Sequence, residues 1–514
     1  MESFWRELFE GEVHLRDKFQ VELKTDYSPH RDSRKNTYTQ EFYFFIPNAL
    51  QVGKHTYPKE QFYQDQTNFI RFKTPDFSFR EILDFNNERS PLNRLKVLIR
   101  QQLDEQGRAN LEDEIKLLAN VVRSRLRVNM RILIADLKDS STSAEEFHDL
   151  LLKITKQYSD IFRSFREISK KFRHHEHSNY LKDYFLYTEE FLSSTYEYYL
   201  TGLLSILRRD SDHKKSDEHL CSLIIKEQQF HERFETKSKK TPEDEKEEHV
   251  LYRKGLLNKF ILDALLLSIT RVSVIDHYSS LSGAVAAGIA MLFYFTLFIW
   301  QGQIFVINSV PFIVITVILY ILKDRMKEGL RNQYKKQAFR WFPDYKTEIW
   351  TPSHRRCIGY LTESFAYLKT KELSNEIIQI RNQEFHAELE RFKRPETVLY
   401  YKKEAKLLEE PKRKGSRRYE LNNIFRFNIE HFLSKASNSY HLHQQLNQES
   451  MKLEYQRLPK VYHINLIMKN TYLSENGEKK VEWNKFRLVV NKDGIKRIER
   501  PLKPRDPHSI APEQ

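Results

Sequence analysis

Hydrophobic and polar positions follow four successive regimes along this chain. Between residues 13 and 85 the period is two. Phe19, Val21 and Leu23 alternate with Lys18, Gln20, Glu22 and Lys24, as in a half-buried strand. Tyr38 to Ile46 is aromatic and stops at Pro47. Phe69 to Phe72 and Phe77-Ser78-Phe79 predict further short strands, and Pro58 opens a short helix before them. Together these predict a small β-rich module over residues 1–90.

From Pro91 the period becomes helical. Leu92, Leu95, Leu98 and Ile99 share a face, Gly107 interrupts, and Leu111, Ile115, Leu118, Val122, Leu126 and Leu133 resume it. Ser141-Thr142-Ser143 then offers cap hydroxyls. Phe147, Leu151, Ile154, Tyr158, Ile161, Phe165, Ile168 and Phe172 follow at spacings of four and three, which is a heptad coiled-coil seam. Large aromatics suit an intramolecular bundle better than a slim parallel dimer. Leu181, Phe185, Leu192, Tyr196, Tyr199, Leu203 and Leu207 mark another helix. An antiparallel helical bundle is expected over residues 91–277. Its last helix, capped by Thr241 and Pro242, runs through Leu267. It carries Lys259, Asp263 and Arg271, which argue against a membrane crossing. It packs on the bundle or lies at an interface.

The third regime has no polar period at all. Tyr278 to Leu322 contains no Lys, Arg, Asp, Glu or His over 45 residues. One bilayer crossing takes about 20 apolar residues, so residues 278–322 predict a two-pass transmembrane hairpin. Gln301-Gly302-Gln303 is one candidate turn, between crossings at 281–300 and 304–322. In the alternative, Asn308-Ser309 caps a second helix with Pro311 in its first turn, and the turn moves to 302–309. Lys323, Arg325, Lys327, Arg331, Lys335 and Lys336 follow at once, so the positive-inside rule puts both termini in the cytosol. The N-terminus lacks the basic-then-apolar pattern of a secretory signal.

The last regime is mixed. A helix continues over 323–345. Ser374 caps another, with Ile378, Phe385, Leu389 and Phe392 on one face. Leu421, Phe425, Ile429 and Phe432 give an amphipathic segment. Val461–Met468 and Trp483–Val490 predict strands, and Asn491 to Gly494 turns into a third at Ile495–Ile498. A C-terminal α/β module is expected over 323–499. A proline-rich tail over 500–514 predicts disorder. The expected fold class is therefore mainly α with smaller β-rich modules, the hairpin standing between a cytosolic bundle and the C-terminal module.

Composition narrows the function classes. The chain has 514 residues, 30% of them charged, with a net charge of +14. Most of it must therefore sit in water, and its charge favours anionic lipid or nucleic acid. Only 13 residues are Gly, against roughly 36 at the usual frequency of about 7%. Phosphate-cradling loops need Gly, so a nucleotide-binding α/β enzyme is disfavoured. Cys221 and Cys357 have no CxxC spacing and fit a reducing compartment. The wealth of Phe, Tyr, Lys, Asn and Gln fits a bacterial source and a cytoplasmic membrane location.

Few motifs carry chemistry. Gly283/Ala287 and Ala284/Gly288 have the small-xxx-small spacing that lets helices approach in lipid, either within the hairpin or between copies. The run Lys412, Arg413, Lys414, Arg417 and Arg418 is a candidate contact for anionic headgroups, with a solvated loop or nucleic-acid phosphates as alternatives. His174, His175, Glu176 and His177 are consecutive and cannot converge on one ion. His213, Asp217, Glu218 and His219 are as loose, and His441 and His443 share one side of a strand. His30-Arg31-Asp32 imitates a kinase loop, but the rest of that signature is missing. Neither crossing holds an ionisable residue, which argues against transport. No metal or cofactor is expected. These signals lean away from an enzyme. They favour a membrane-anchored interaction or scaffold protein with a protein partner or self-association. The alternatives are a membrane effector whose cytosolic sensor drives hairpin oligomerisation, and a membrane-tethered enzyme with an unrecognised, metal-dependent site.

Overall fold

A computed structural model describes residues 13–500, except 28–34, 102–103, 139–142, 175–178, 210–212, 236–242, 307–308, 352–355, 383–394, 409–416, 419, 447–450 and 474–476. About 53% is helix and 31% strand. The Pro-rich tail, the kinase-like triplet, the His175–His177 stretch and Lys412 to Lys414 lie outside the described residues.

The strands come first and last in the chain. They are β1 (Val13–Leu15), β2 (Gln20–Tyr27), β3 (Lys35–Pro47), β4 (Gln66–Phe72), β5 (Ser268–Ser273), β6 (Tyr345–Thr351), β7 (Arg356–Leu368), β8 (Glu396–Leu408), β9 (Leu421–Asn428), β10 (Tyr440–Leu446), β11 (Leu453–Pro459), β12 (Tyr462–Leu473), β13 (Lys479–Asn491) and β14 (Gly494–Glu499). Eight form one antiparallel sheet in the order β14-β13-β12-β3-β8-β7-β6-β5, and four form a second in the order β1-β2-β9-β4. The expected separate N-terminal and C-terminal modules are thus one body. β3 lies between β8 and β12, and β2 pairs with β9. Alternation in β2 and β3 correctly marked strands, but pairing across about 400 residues leaves no local trace.

The two sheets pack face to face as a sandwich. Phe42 stacks on Phe425 at 4.7 Å and Phe44 meets Phe427 at 5.0 Å. Helix α1 (Lys59–Asp65) adds Phe62 to this core. Phe77-Ser78-Phe79 is not a strand: Ser78 closes a capping box with Glu81 and starts α2 (Phe79–Leu83). Leu421 and Phe425 belong to a strand rather than to a helical stripe. Ser374 does cap a helix, α11 (Asn375–Asn382), whose Ile377 and Ile380 cover the outer face of β3 at Tyr43 and Phe45. Asn491 to Gly494 makes the expected hairpin turn. Gly494 has φ +128°, and a Cβ there would lie 2.2 Å from the Lys18 carbonyl oxygen.

Two long insertions meet the sandwich at opposite ends of β5, the first returning into Ser268 and the second leaving from Ser273. The first insertion leaves β4 at Phe72 and returns at β5, and Arg71 bridges to Leu266. It is a helical bundle of α3 (Pro91–Leu98), α4 (Glu105–Lys138), α5 (Ala144–His174), α6 (Asn179–Leu207), α7 (Lys214–Glu235) and α8 (Glu243–Leu262). All eight residues of the heptad seam are buried in α5, within a core shared by this chain's own helices. Ser143 and Glu146 form the cap that starts it. Leu257 and Ile261 bury α8 against the bundle. The helical reading fails at 268–273, where SITRVS is an edge strand of the large sheet. The second insertion leaves β5 at Ser273 and returns at Tyr345. It consists of α9 (Val274–Ile304) and α10 (Val310–Trp341).

Candidate functional site

Among the described residues one helix is long and apolar enough to cross a membrane, Gly283–Ile304. Its 22 residues span about 33 Å, against a hydrocarbon core of about 30 Å. The first helix ends at Ile304 and the second begins at Val310, so Gln301-Gly302-Gln303 is helical. The Ser309 carbonyl accepts from Ile313 N at 3.1 Å, and Pro311 sits in the first turn of α10. This later turn shortens the apolar part of α10. Val310 to Leu322 is 13 residues, about 20 Å of helix. Lys323, Asp324 and Arg325 come next, so α10 alone does not meet the length of a crossing.

The two helices are held together by one polar clasp. Buried Gln301 donates from Nε2 to the Phe312 carbonyl at 2.7 Å and to Thr316 Oγ1 at 3.1 Å. Ala286 and Ala290 are the buried small residues of α9. Gly283 and Ala287 are half-buried, whereas Ala284 and Gly288 face outward. A Cβ at Gly283 or Gly288 would meet nothing within 4 Å. The two glycines therefore do not make the close backbone approach expected inside the hairpin.

Directly below these helices the sandwich interior holds a charged network. Asp344 lies where both helices join the sheet: its carbonyl accepts from Val274 N at 3.1 Å. Its carboxylate accepts from Lys59 at 2.7 Å, from Tyr63 at 2.8 Å and from Phe365 N at 2.7 Å. Burial, reinforced by Asp344, keeps the Tyr63 hydroxyl protonated. Deeper in, one Glu363 oxygen accepts from Tyr401 at 2.6 Å, Asn68 at 2.8 Å and Gln66 at 3.1 Å. The other faces Arg271 of β5 at 3.2 Å. Arg271 also lies 3.9 Å from the Tyr345 ring centroid. Lys403 is fully buried beside them and donates to Asn68 Oδ1 at 3.1 Å. Desolvation pulls its pKa down to about 7, against a partial pull upward from Glu363. The network ties β5 and β6, the strands that carry α9 and α10, to the strands of both sheets. The sequence gives no warning of it, because its members come from α1, β4, β5, β6, β7 and β8 and from the segment before β6.

Of the basic run, Arg417 and Arg418 are described, and both are ion-paired within the chain. Arg417 is buried and ion-paired with Glu114, which also takes Arg94 at 3.3 Å. Arg418 binds both oxygens of Asp113, one at 2.9 Å, and the Ala264 carbonyl. These arginines join sandwich to bundle and do not offer a free anionic-surface contact. The run links β8 to β9 at the bundle end, where Leu408 pairs with Lys35 and Leu421 with Tyr27.

Histidines serve the bundle. His148 meets Ser216 at 3.0 Å and His219 meets Thr155 at 3.2 Å. Desolvation, with His148 nearby, lowers the His219 pKa. Among the described residues no group of three His, Cys, Asp or Glu could hold a metal ion. His441 and His443 lie exposed on β10. The sequence reading missed a polar cluster between α6 and α7, where the Ser193 hydroxyl contacts Glu227 and lies 2.9 Å from His231 Nε2. Glu227 bonds Ser193 rather than orienting the imidazole, and Ser193 is fully buried. This lacks the base–orienter geometry of an activated nucleophile. Tyr180 is exposed at the rim of the bundle, whereas Tyr196 and Tyr199 are buried in its core. No family model, curated protein or solved structure matches this chain.

Proposed function

We propose that this is a membrane-anchored scaffold whose α9–α10 hairpin inserts as a two-pass element, with the sandwich, bundle and both termini in the cytosol. One observation carries the reading. The only helix of crossing length among the described residues continues from the last residue of β5, while the bundle returns into the first. Anchoring there projects the bundle away from the lipid as a surface for a protein partner. Ala284 and Gly288, facing outward on α9, suit contact between hairpins in a homo-oligomer. The short apolar run of α10 is accommodated by local thinning of the bilayer and by snorkelling of Lys323, which reaches over the Tyr320 ring at 3.8 Å. Two experiments test this. The protein is expected to stay with membranes through alkaline carbonate. A cysteine at Gln303 is expected to react with an impermeant reagent from outside the cell, whereas one at Lys371 is not. Release by carbonate, or labelling at Lys371 in intact cells, refutes it.

A second reading, a membrane effector, is favoured by the Asp344 and Glu363 network at the foot of the hairpin. A ligand-driven shift in the sandwich would act on β5 and β6, and so on both helices. It requires vesicle leakage that depends on oligomer formation. A protein that never oligomerises and leaves vesicles sealed excludes it.

A further inference from the structure

We propose that the sandwich-proximal half of the α9–α10 hairpin binds an anionic phospholipid, and in this the inference rests on the membrane-anchored reading. Contacts along the hairpin fix which residues stand level. Gln301 bonds the Phe312 carbonyl and Thr316, the Phe298 ring centroid lies 5.8 Å from that of Phe312, and Lys323 Nζ lies 5.9 Å from the Tyr294 centroid. The antiparallel pairing therefore sets Tyr294 beside Lys323. Continued towards the sandwich, it brings buried Ala290 and Ala286 level with half-buried Met326 and Leu330. The apolar stretch of α9 before Tyr294 thus runs alongside the charged stretch of α10 after Leu322.

One flank of this pair is basic above and apolar below. Lys327 and Arg331 are four apart, so they share a face of α10, and both are exposed. Their acidic neighbours are engaged elsewhere: Asp324 faces Lys323 and Glu328 faces Arg325, each at 3.6 Å. Among the described residues neither Lys327 nor Arg331 has an ion-pair partner. Right-handed winding of two antiparallel helices puts Met291 and Phe295 of α9 on the same flank, with Tyr320 of α10. All three are exposed. Lys323 marks the cytosolic edge of the hydrocarbon on α10. Lys327 stands about 6 Å beyond it and Arg331 about 12 Å, against a headgroup layer about 5–8 Å deep. The arginine stem lets its guanidinium reach back into that layer. A headgroup phosphate there meets both cations while an acyl chain lies along Met291, Phe295 and Tyr320. Two unpaired cations select a lipid of net negative charge over a zwitterionic one, which brings its own ammonium.

The full chain reconstituted in vesicles of equimolar phosphatidylcholine and phosphatidylglycerol, with only one of the two lipids brominated on its acyl chains, tests this. In a Cys221→Ser, Cys357→Ser background, single cysteines are placed at Met291 or Ile299 and labelled with a fluorophore. Brominated phosphatidylglycerol is expected to quench the Met291 probe at least about twofold more than brominated phosphatidylcholine, whereas the Ile299 probe is quenched equally by both. The preference at Met291 is expected to vanish in Lys327→Gln, Arg331→Gln. Equal quenching of Met291 by the two lipids, or a preference that survives the double substitution, overturns the inference and leaves the anchor standing. A Met291 probe that neither lipid quenches, beside a quenched Ile299 probe, assigns the flank to a second copy or to protein cover, and also overturns it. No quenching at Ile299 by either lipid refutes the anchor itself.

Discussion

Replacing Lys403 by Met removes a cation that the sandwich interior does not match. Glu363 already faces Arg271 at 3.2 Å, so Lys403, fully buried with Asn68 as its hydrogen-bond partner, is the surplus charge. Desolvation brings its pKa to about 7, whereas an unfolded lysine stays protonated to about 10.4. Between those values the unfolded chain binds more protons than the native one, so native stability rises with pH. The slope approaches about 1.4 kcal/mol per pH unit, and from pH 7 to 9 this group alone contributes about 2 kcal/mol. For a cooperative unit of roughly 150–250 residues that is about 4–8 °C in Tm. The assay is thermal unfolding of the detergent-solubilised full chain, followed by tryptophan fluorescence (Trp350 and Trp483 lie in the large sheet). Native protein is expected to gain those degrees between pH 7 and 9 relative to Lys403→Met. The variant should equal or exceed the native protein at pH 7, because it loses only one hydrogen bond, worth about 1 kcal/mol. Parallel pH profiles, or a variant several kcal/mol less stable at pH 7, would refute the reasoning.

Three further outcomes follow from single contacts. Arg417→Ala strands buried Glu114 with only half-exposed Arg94 beside it, and should cost about 3–5 kcal/mol in chemical unfolding; a change under 1 kcal/mol would mean the pair does not hold bundle to sandwich. Gly494→Ala forces a Cβ against Lys18 at positive φ and should cost more than about 2 kcal/mol, read as a lower denaturation midpoint, while the neighbouring exposed Lys492→Ala should be neutral. Phe165→Ala empties a fully buried seam position in α5. It should cost about 3–5 kcal/mol and leave oligomer size by light scattering unchanged; dissociation of an oligomer would show that the seam also joins copies.

Much of the local structure was legible in the residues. The heptad seam of α5, the Ser374 cap, the turn before Ile495 and the charge-free stretch were all marked by spacing or by turn chemistry. Local pattern misled where two signals compete. SITRVS continues a helical run but holds three β-branched residues, and sheet pairing with β6 decided it. Phe77-Ser78-Phe79 alternates like a strand, yet the Ser78–Glu81 box caps a helix. In the apolar stretch, Gln301 to Gln303 resembles a turn, but the Gln301 clasp to α10 keeps it helical.

By itself the sequence determined element type wherever burial follows a simple period, and it determined where the water-avoiding stretch lies. Only the tertiary structure decided that strands before Phe72 and after Tyr345 form one sandwich. The same holds for the bundle and the apolar helices, which meet it at opposite ends of β5, and for Arg417 and Arg418, which face Glu114 and Asp113. It also set Glu363, Lys403 and Arg271 together. The physical reason is range. Helical and strand periods are read over a few residues, but strand pairing and buried charge compensation join positions hundreds of residues apart, and their energy is set by neighbours that no local window contains.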